Sequence, residues 1–350
     1  MSTTPRTPRS IESILATDFP PEYIPGARSA VETCLRLSPG ERFTLITDEA
    51  TVTIAASLAA EVRRLGNPME VFVLEDFDDR PMTSLPVSIL AALERTDVSI
   101  YACRSQPGEL AHRIEMMRVI NRVMPRHGHM VNINHRIMLE GMQADFNEID
   151  RISTRVLELA SAARNITATT PRGTDIRVRL SPELRWLKTS GIITREKWGN
   201  LPGGEIFTSP ERVDGIFVVD GVVGDYLCEK YGDLRDTPLR IVIENSRIVS
   251  CECENTKLLE EFNRYCSTDE NSNRVGEFAI GTNTALSGVI GHILQDEKLP
   301  GVHIAFGHPY SEHTGAAWKS TTHIDVVGRD FDIFIEGRQI MRLGSFMLDA

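Results

Sequence analysis

The 350-residue chain is poor in the features that announce several protein classes. It has no apolar run near the ~18 residues that a membrane-spanning helix needs. Its six cysteines (Cys34, Cys103, Cys228, Cys251, Cys253, Cys266) form no CxxC pair. Neither a zinc ribbon nor a disulfide framework is therefore expected, and a reducing, cytoplasmic compartment is. Positive charge is scarce: 38 Lys and Arg against 49 Asp and Glu leave a net charge of −11. That balance argues against nucleic acid or a membrane surface as partner, since both demand basic patches. No GxGxxG follows a strand-like run and no GxxxxGK[ST] occurs, so nucleotide binding has no support. The opening MSTTPRTPRS lacks the apolar stretch of a signal peptide and reads as a frayed tail.

What is present is a globular composition, 41% hydrophobic and 25% charged, in a chain long enough for two domains. Residues 1–150 alternate helix and strand signals. Helices are expected at 27–37, 55–67 (closed by Gly66 and Asn67), 84–96 and 107–124, and strands at 42–47, 69–76, 98–103 and 129–134. This order predicts an α/β domain with a parallel sheet and right-handed crossovers. A long helix over 145–165 leads into a second domain, 151–350, where strands dominate. They are read at 166–180 around a Pro171-Arg172-Gly173 turn, at 212–223, and in a hairpin at 238–254. A helix at 256–267 and a last hairpin arm at 337–347 complete a strand-rich α+β domain.

Five residues of this second domain carry the chemistry: Glu205, Glu277, His303, His323 and Asp325. They occur in β-like stretches beside glycines, namely GGEIFTSP (203–210), VGEFAIG (275–281), VHIAFGHPY (302–310) and STTHIDVVG (320–328). In a strand, residues i and i+2 share a face, so His323 and Asp325 point the same way. A carboxylate inside an apolar strand is costly unless it is paired or metal-bound. Singly each residue has an ordinary structural explanation. Together, three carboxylates and two imidazoles form a donor set for two borderline-hard divalent ions such as Zn, Co or Mn. Tyr310, seven residues after His303, offers a phenol for an oxyanion. His308 and His313 read as surface-loop or substrate residues, and Arg185 and Trp186 as pocket lining. His127, His129 and His135 form a second histidine group, with no carboxylate or cysteine nearby to complete a metal shell.

With these segments side by side, the chain resembles the thermophilic metallo-aminopeptidases, the aminopeptidase T and S type of leucyl aminopeptidases. The matching segments are PGER with LITDEA, PRGTD (171–175), LPGGEIFTSP (201–210), GEFAIGTN (276–283), HIAFGHPY (303–310) and HIDVV (323–327). The resemblance implies that Glu205, Glu277, His303, His323 and Asp325 bind two divalent metals, and that Glu277 and Tyr310 are catalytic. It further implies a hydrolase that removes N-terminal residues from peptides, assembled as a homodimer. The 2,5-dihydroxypyridine dioxygenases share the scaffold but hold one Fe(II) by two histidines and an aspartate. The position of Glu277 is a histidine there, so a mononuclear ring-cleaving dioxygenase stands as the alternative expectation.

Overall fold

Parallel strands need helices to carry the chain back, and the first third of the sequence supplies them. In the computed structural model, residues 6–348 are described. They form two units, Met1–Asn147 with Gly191–Gly203, and Glu148–Ser190 with Gly204–Ala350.

The sheet of the first unit runs in the order Met69–Val73, Phe43–Thr47, Val98–Ala102, Arg126–His129 and Gly199–Asn200, all parallel. Phe43–Thr47 and Val98–Ala102 are buried along their whole length, as strands covered on both faces must be. Helices Val52–Leu65, Val87–Leu93 and Leu110–Val123 provide the returns. The first ends on Gly66, whose left-handed φ of 77° lets the chain turn off the helix axis.

Three expectations need correction. The strand placed at 129–134 lies at Arg126–His129 instead. The apolar alternation of HMVNIN is overridden by a turn in which Asn132 is left-handed (φ 61°) and Asn134 caps the helix His135–Leu139. The helix expected over 27–37 starts earlier, at Ile24, and widens into a π-type turn over Ser29–Cys34. The tail is also less frayed than expected. Its residues 1–5 lie outside the described residues, but Arg9 pairs with Asp76 (2.7 Å) and Glu49, and Ser10 caps the helix Ile11–Leu15.

Strand order reverses between Phe43–Thr47 and Val98–Ala102, the point where open α/β sheets commonly bind ligands beyond their carboxyl ends. Here side chains fill that position. The Arg80 guanidinium pairs with Asp48 and Glu109 and donates to the Arg104 carbonyl, while Asp48 accepts from the Arg104 amide at 2.6 Å. All three charged groups are buried, so their mutual pairing offsets the cost of desolvation.

The second unit consists of two antiparallel sheets. Eight strands run in the order Arg247–Glu252, Leu239–Glu244, Arg212–Val219, Asp175–Arg179, Asn165–Thr169, Asp332–Ile335, Arg338–Arg342 and Ser345–Phe346. Five run in the order His323–Val327, Gly301–Gly307, Val275–Gly281, Glu205–Thr208 and Leu187–Lys188. The expected hairpin turns at Asn245 and Ser246, both left-handed (φ 51° and 62°), a geometry that suits the twist of paired strands. One core joins the sheets. Ile166, Ile176, Phe217 and Ile241 from the larger pack in a common cluster with Phe278, Ile280, Ile304, Phe306 and Val326 from the smaller. Helices Phe146–Ser161 and Thr256–Tyr265 add Val156, Ala160, Leu258 and Phe262 to it. The opposite face of the five-stranded sheet is also enclosed, because Val275–Gly281 and Gly301–Gly307 are buried at every position.

Candidate metal centre

That second face carries the polar residues. Alternation along Val275–Gly281 sends Phe278 and Ile280 into the core and Glu277, Ala279 and Gly281 the other way. Neighbouring strands follow the same rule: Ile304 and Phe306 face the core opposite His303, and Ile324 and Val326 face it opposite His323 and Asp325. All five sequence-selected residues therefore share one sheet face. Each has a small partner across the ladder on at least one side, His303 also facing Val327. Glu205 lies opposite Gly281, Glu277 and Asp325 opposite Ala305, His303 opposite Ala279, and His323 opposite Gly307. A floor of glycine and alanine leaves volume above it that larger side chains would fill. Gly307 answers a second need: its φ is 108°, and a Cβ there would stand 2.2 Å from the Thr322 carbonyl oxygen.

The structure brings the five together. Glu277 Oε1 is 3.4 Å from His303 Nε2, and Glu277 Oε2 is 3.9 Å from His323 Nε2. Asp325 Oδ1 is 3.4 Å from His323 Nε2, and Glu205 Oε2 is 3.6 Å from His303 Nε2. Donor atoms of Glu205, Glu277 and His303 lie within 4.8 Å of one another. The Nδ1 atom of His323 is held by the His308 carbonyl at 3.0 Å, so its Nε2 is the nitrogen presented to the carboxylates.

Charges in this space are strongly mutual. Burial opposes ionisation of both histidines, but the surrounding carboxylates outweigh it and raise His303 to about 9 and His323 to about 10. Burial pushes Glu277 up, only partly offset by the histidines. Burial would raise Asp325 as well, yet His323 holds it below the usual carboxylate range.

Tyr310 follows the strand Gly301–Gly307 in a left-handed conformation (φ 49°). Its ring packs on His323, with centroids 4.8 Å apart, and on Phe207 at 5.9 Å. Burial and the nearby carboxylates raise its phenol well above 10, so it keeps its proton.

Sequence reasoning missed two residues. Glu297 places a carboxylate within 4.8 Å of donor atoms of His303 and Asp325, and burial raises it to about 8. Lys298 is buried, with its ammonium 2.7 Å from Glu205 Oε1 and 2.5 Å from Glu297 Oε1. In DEKLPG these residues read as a charged surface turn. The available signal was Gly281, where a Cβ would lie 2.0 Å from the Leu299 carbonyl oxygen; its absence lets the 297–299 turn settle against the sheet.

Other readings shift. His308 is not a free surface residue: its ring stands edge-on to Tyr310 (5.5 Å) and accepts the Tyr310 amide at 3.1 Å. His313 is exposed. Arg185 donates to the carbonyls of Glu312 and His313, and Trp186 packs edge-on against core Phe278. His127 bonds to Ser99 (2.8 Å) and to His129 (3.3 Å), and His129 stacks on Tyr101. His135 bonds to Tyr23 at 3.0 Å. Among the described residues, both donor groupings close enough to share an ion include His303 of the five-stranded sheet, and one of them takes Glu297 from the turn before Gly301–Gly307.

The sequence model of the thermophilic metalloprotease (M29) family matches residues 142–337. No curated protein matches the sequence. Two solved structures share the fold across nearly the whole chain. AmpT from Thermus thermophilus superposes with a TM-score of 0.67 at 17% identity, covering 93% of this chain and 99% of its own. A 2,5-dihydroxypyridine dioxygenase from Pseudomonas putida KT2440 superposes with a TM-score of 0.66 at 16% identity, covering 97% and 98%. Likeness at this identity is one of fold, and one scaffold hosts different reactions.

Proposed function

The chain belongs to the thermophilic metalloprotease (M29) family, and from that premise we propose that it is a dinuclear metallo-aminopeptidase. The observation that carries the reading is Glu277, whose two carboxylate oxygens face two different histidines, the arrangement of a carboxylate that bridges two ions. His303 and Glu205 would hold one ion, His323 and Asp325 the other. The donor set fits, because oxygen-rich shells with one imidazole each suit Zn, Mn or Co. Divalent ions held there would supply an acidified water and polarise a scissile carbonyl.

The chain's own residues supply the rest. Glu277 would either bridge the ions or accept the proton of the attacking water. Tyr310, still protonated, donates a hydrogen bond to the oxyanion as it develops. Burial of Glu277 and His303 on this face lowers the local dielectric and strengthens charged interactions there. A peptide with a free N-terminus is the substrate class, cleaved in the cytoplasm by a homodimer. No described helix is long and apolar enough to cross a membrane.

The ring-cleaving alternative draws on the shared fold, but four carboxylates exceed the two-histidine, one-carboxylate set of a mononuclear iron site. Metal analysis of purified protein with an aminoacyl-anilide assay separates the two. Two divalent ions per chain and release of the anilide are expected. One iron per chain without peptidase turnover would overturn the proposal.

A further inference from the structure

Lys298 lies in the turn between the helix Ile293–Asp296 and the strand Gly301–Gly307, with only 1% of its side chain exposed. An ammonium so deeply buried needs full pairing, and Glu205 and Glu297 provide it. The two oxygens of Glu205 are used differently. Oε1 accepts from Lys298 Nζ and from Thr189 Oγ1, each at 2.7 Å. Oε2 faces His303 Nε2 at 3.6 Å.

We propose that Lys298 is a positioning residue: by engaging Oε1 it confines Glu205 to one-oxygen ligation of a divalent ion and so keeps a coordination position open. A carboxylate with both oxygens free can chelate through both, whereas a catalytic ion must retain a position for water or substrate. Glu297 holds the ammonium from its other side. The inference rests on the metal reading above.

The test is the visible absorption of the full-length protein loaded with cobalt(II), which weakens as the coordination number rises towards six. The double variant K298M/E297Q removes the ammonium together with the carboxyl group that pairs with it, so that neither is left without the other. A several-fold fall in visible absorptivity is expected in the double variant. Peptidase kcat should fall with KM little changed. A wild-type spectrum in the double variant overturns the inference. Should that variant not fold, Lys298→Met alone is expected to show the same spectral loss, and an unchanged spectrum there is equally fatal. If the wild-type protein takes up no cobalt, the metal reading fails first and takes the inference with it. Uptake with an indifferent spectrum sinks the inference alone.

Discussion

His127 with His129 in the first unit, and His303 with His323 in the second, each pair a buried imidazole with a half-buried one on strands of a sheet. Their chemistry runs in opposite directions. Around the first pair stand Ser99, Tyr101 and Trp198. Burial there lowers His127 well below 6.5 and brings His129 to about 3, so both stay neutral. Around the second pair stand Glu205, Glu277 and Asp325, and their charge reverses the effect of burial. Histidine alone does not make a metal centre. The carboxylates beside it do, because they favour a cation in that space, whether a proton or a metal ion.

The comparison breaks most severely if Glu277 is neutralised. Glu277→Gln should cost at least about 100-fold in affinity for Zn or Mn, more than loss of an outer-shell partner usually does, and reduce peptidase activity to background. Equilibrium metal titration checks this, and unchanged affinity would remove Glu277 from the ligand set. Next in size is Tyr310→Phe, expected to lower kcat about 100-fold, as loss of an oxyanion donor does, with metal content unaltered. Equal activity of the two proteins would leave the phenol without a role.

The neutral histidines yield smaller effects. Ser99→Ala strands a buried His127 nitrogen and should cost about 1–3 kcal/mol, measured by denaturant unfolding with metal content unaffected. The pH response is gentler and has a definite sign. A histidine whose folded pKa is lowered binds fewer protons folded than unfolded, so stability is present above about 6.5 and declines as pH falls. His127 should contribute a slope of about 1.4 kcal/mol per pH unit below that value. Hydrogen exchange of the strand Arg126–His129 at pH 7 and pH 5 reads it. Equal protection at both values would mean that His127 is not held neutral.

Much of the site was legible in the sequence because strand alternation is local. Glycine-flanked glutamates in apolar strands, and the spacing of His323 and Asp325, place their side chains on known faces whatever the rest of the chain does. While Gly199–Asn200 was not foreseen, four of the five strands in the first unit's sheet followed from its helix–strand order, one of them misplaced. There, the helix cap of Asn134 and the left-handed Asn132 outweighed an apolar pattern.

Lys298 and Glu297 show where local reading stops. Nothing within DEKLPG distinguishes a solvated turn from a buried ion pair. The distinction depends on Gly281, in the preceding strand of the sheet, and on Glu205 two strands away. The sequence by itself determined the donor types, the strands that carry them and the face on which each points, since these depend on covalent geometry and period. Only the tertiary structure decided that antiparallel register sets every donor opposite a small residue, and that a lysine takes one oxygen of Glu205. Register and burial are properties of contacts between distant segments, and such contacts exist only once the chain has folded.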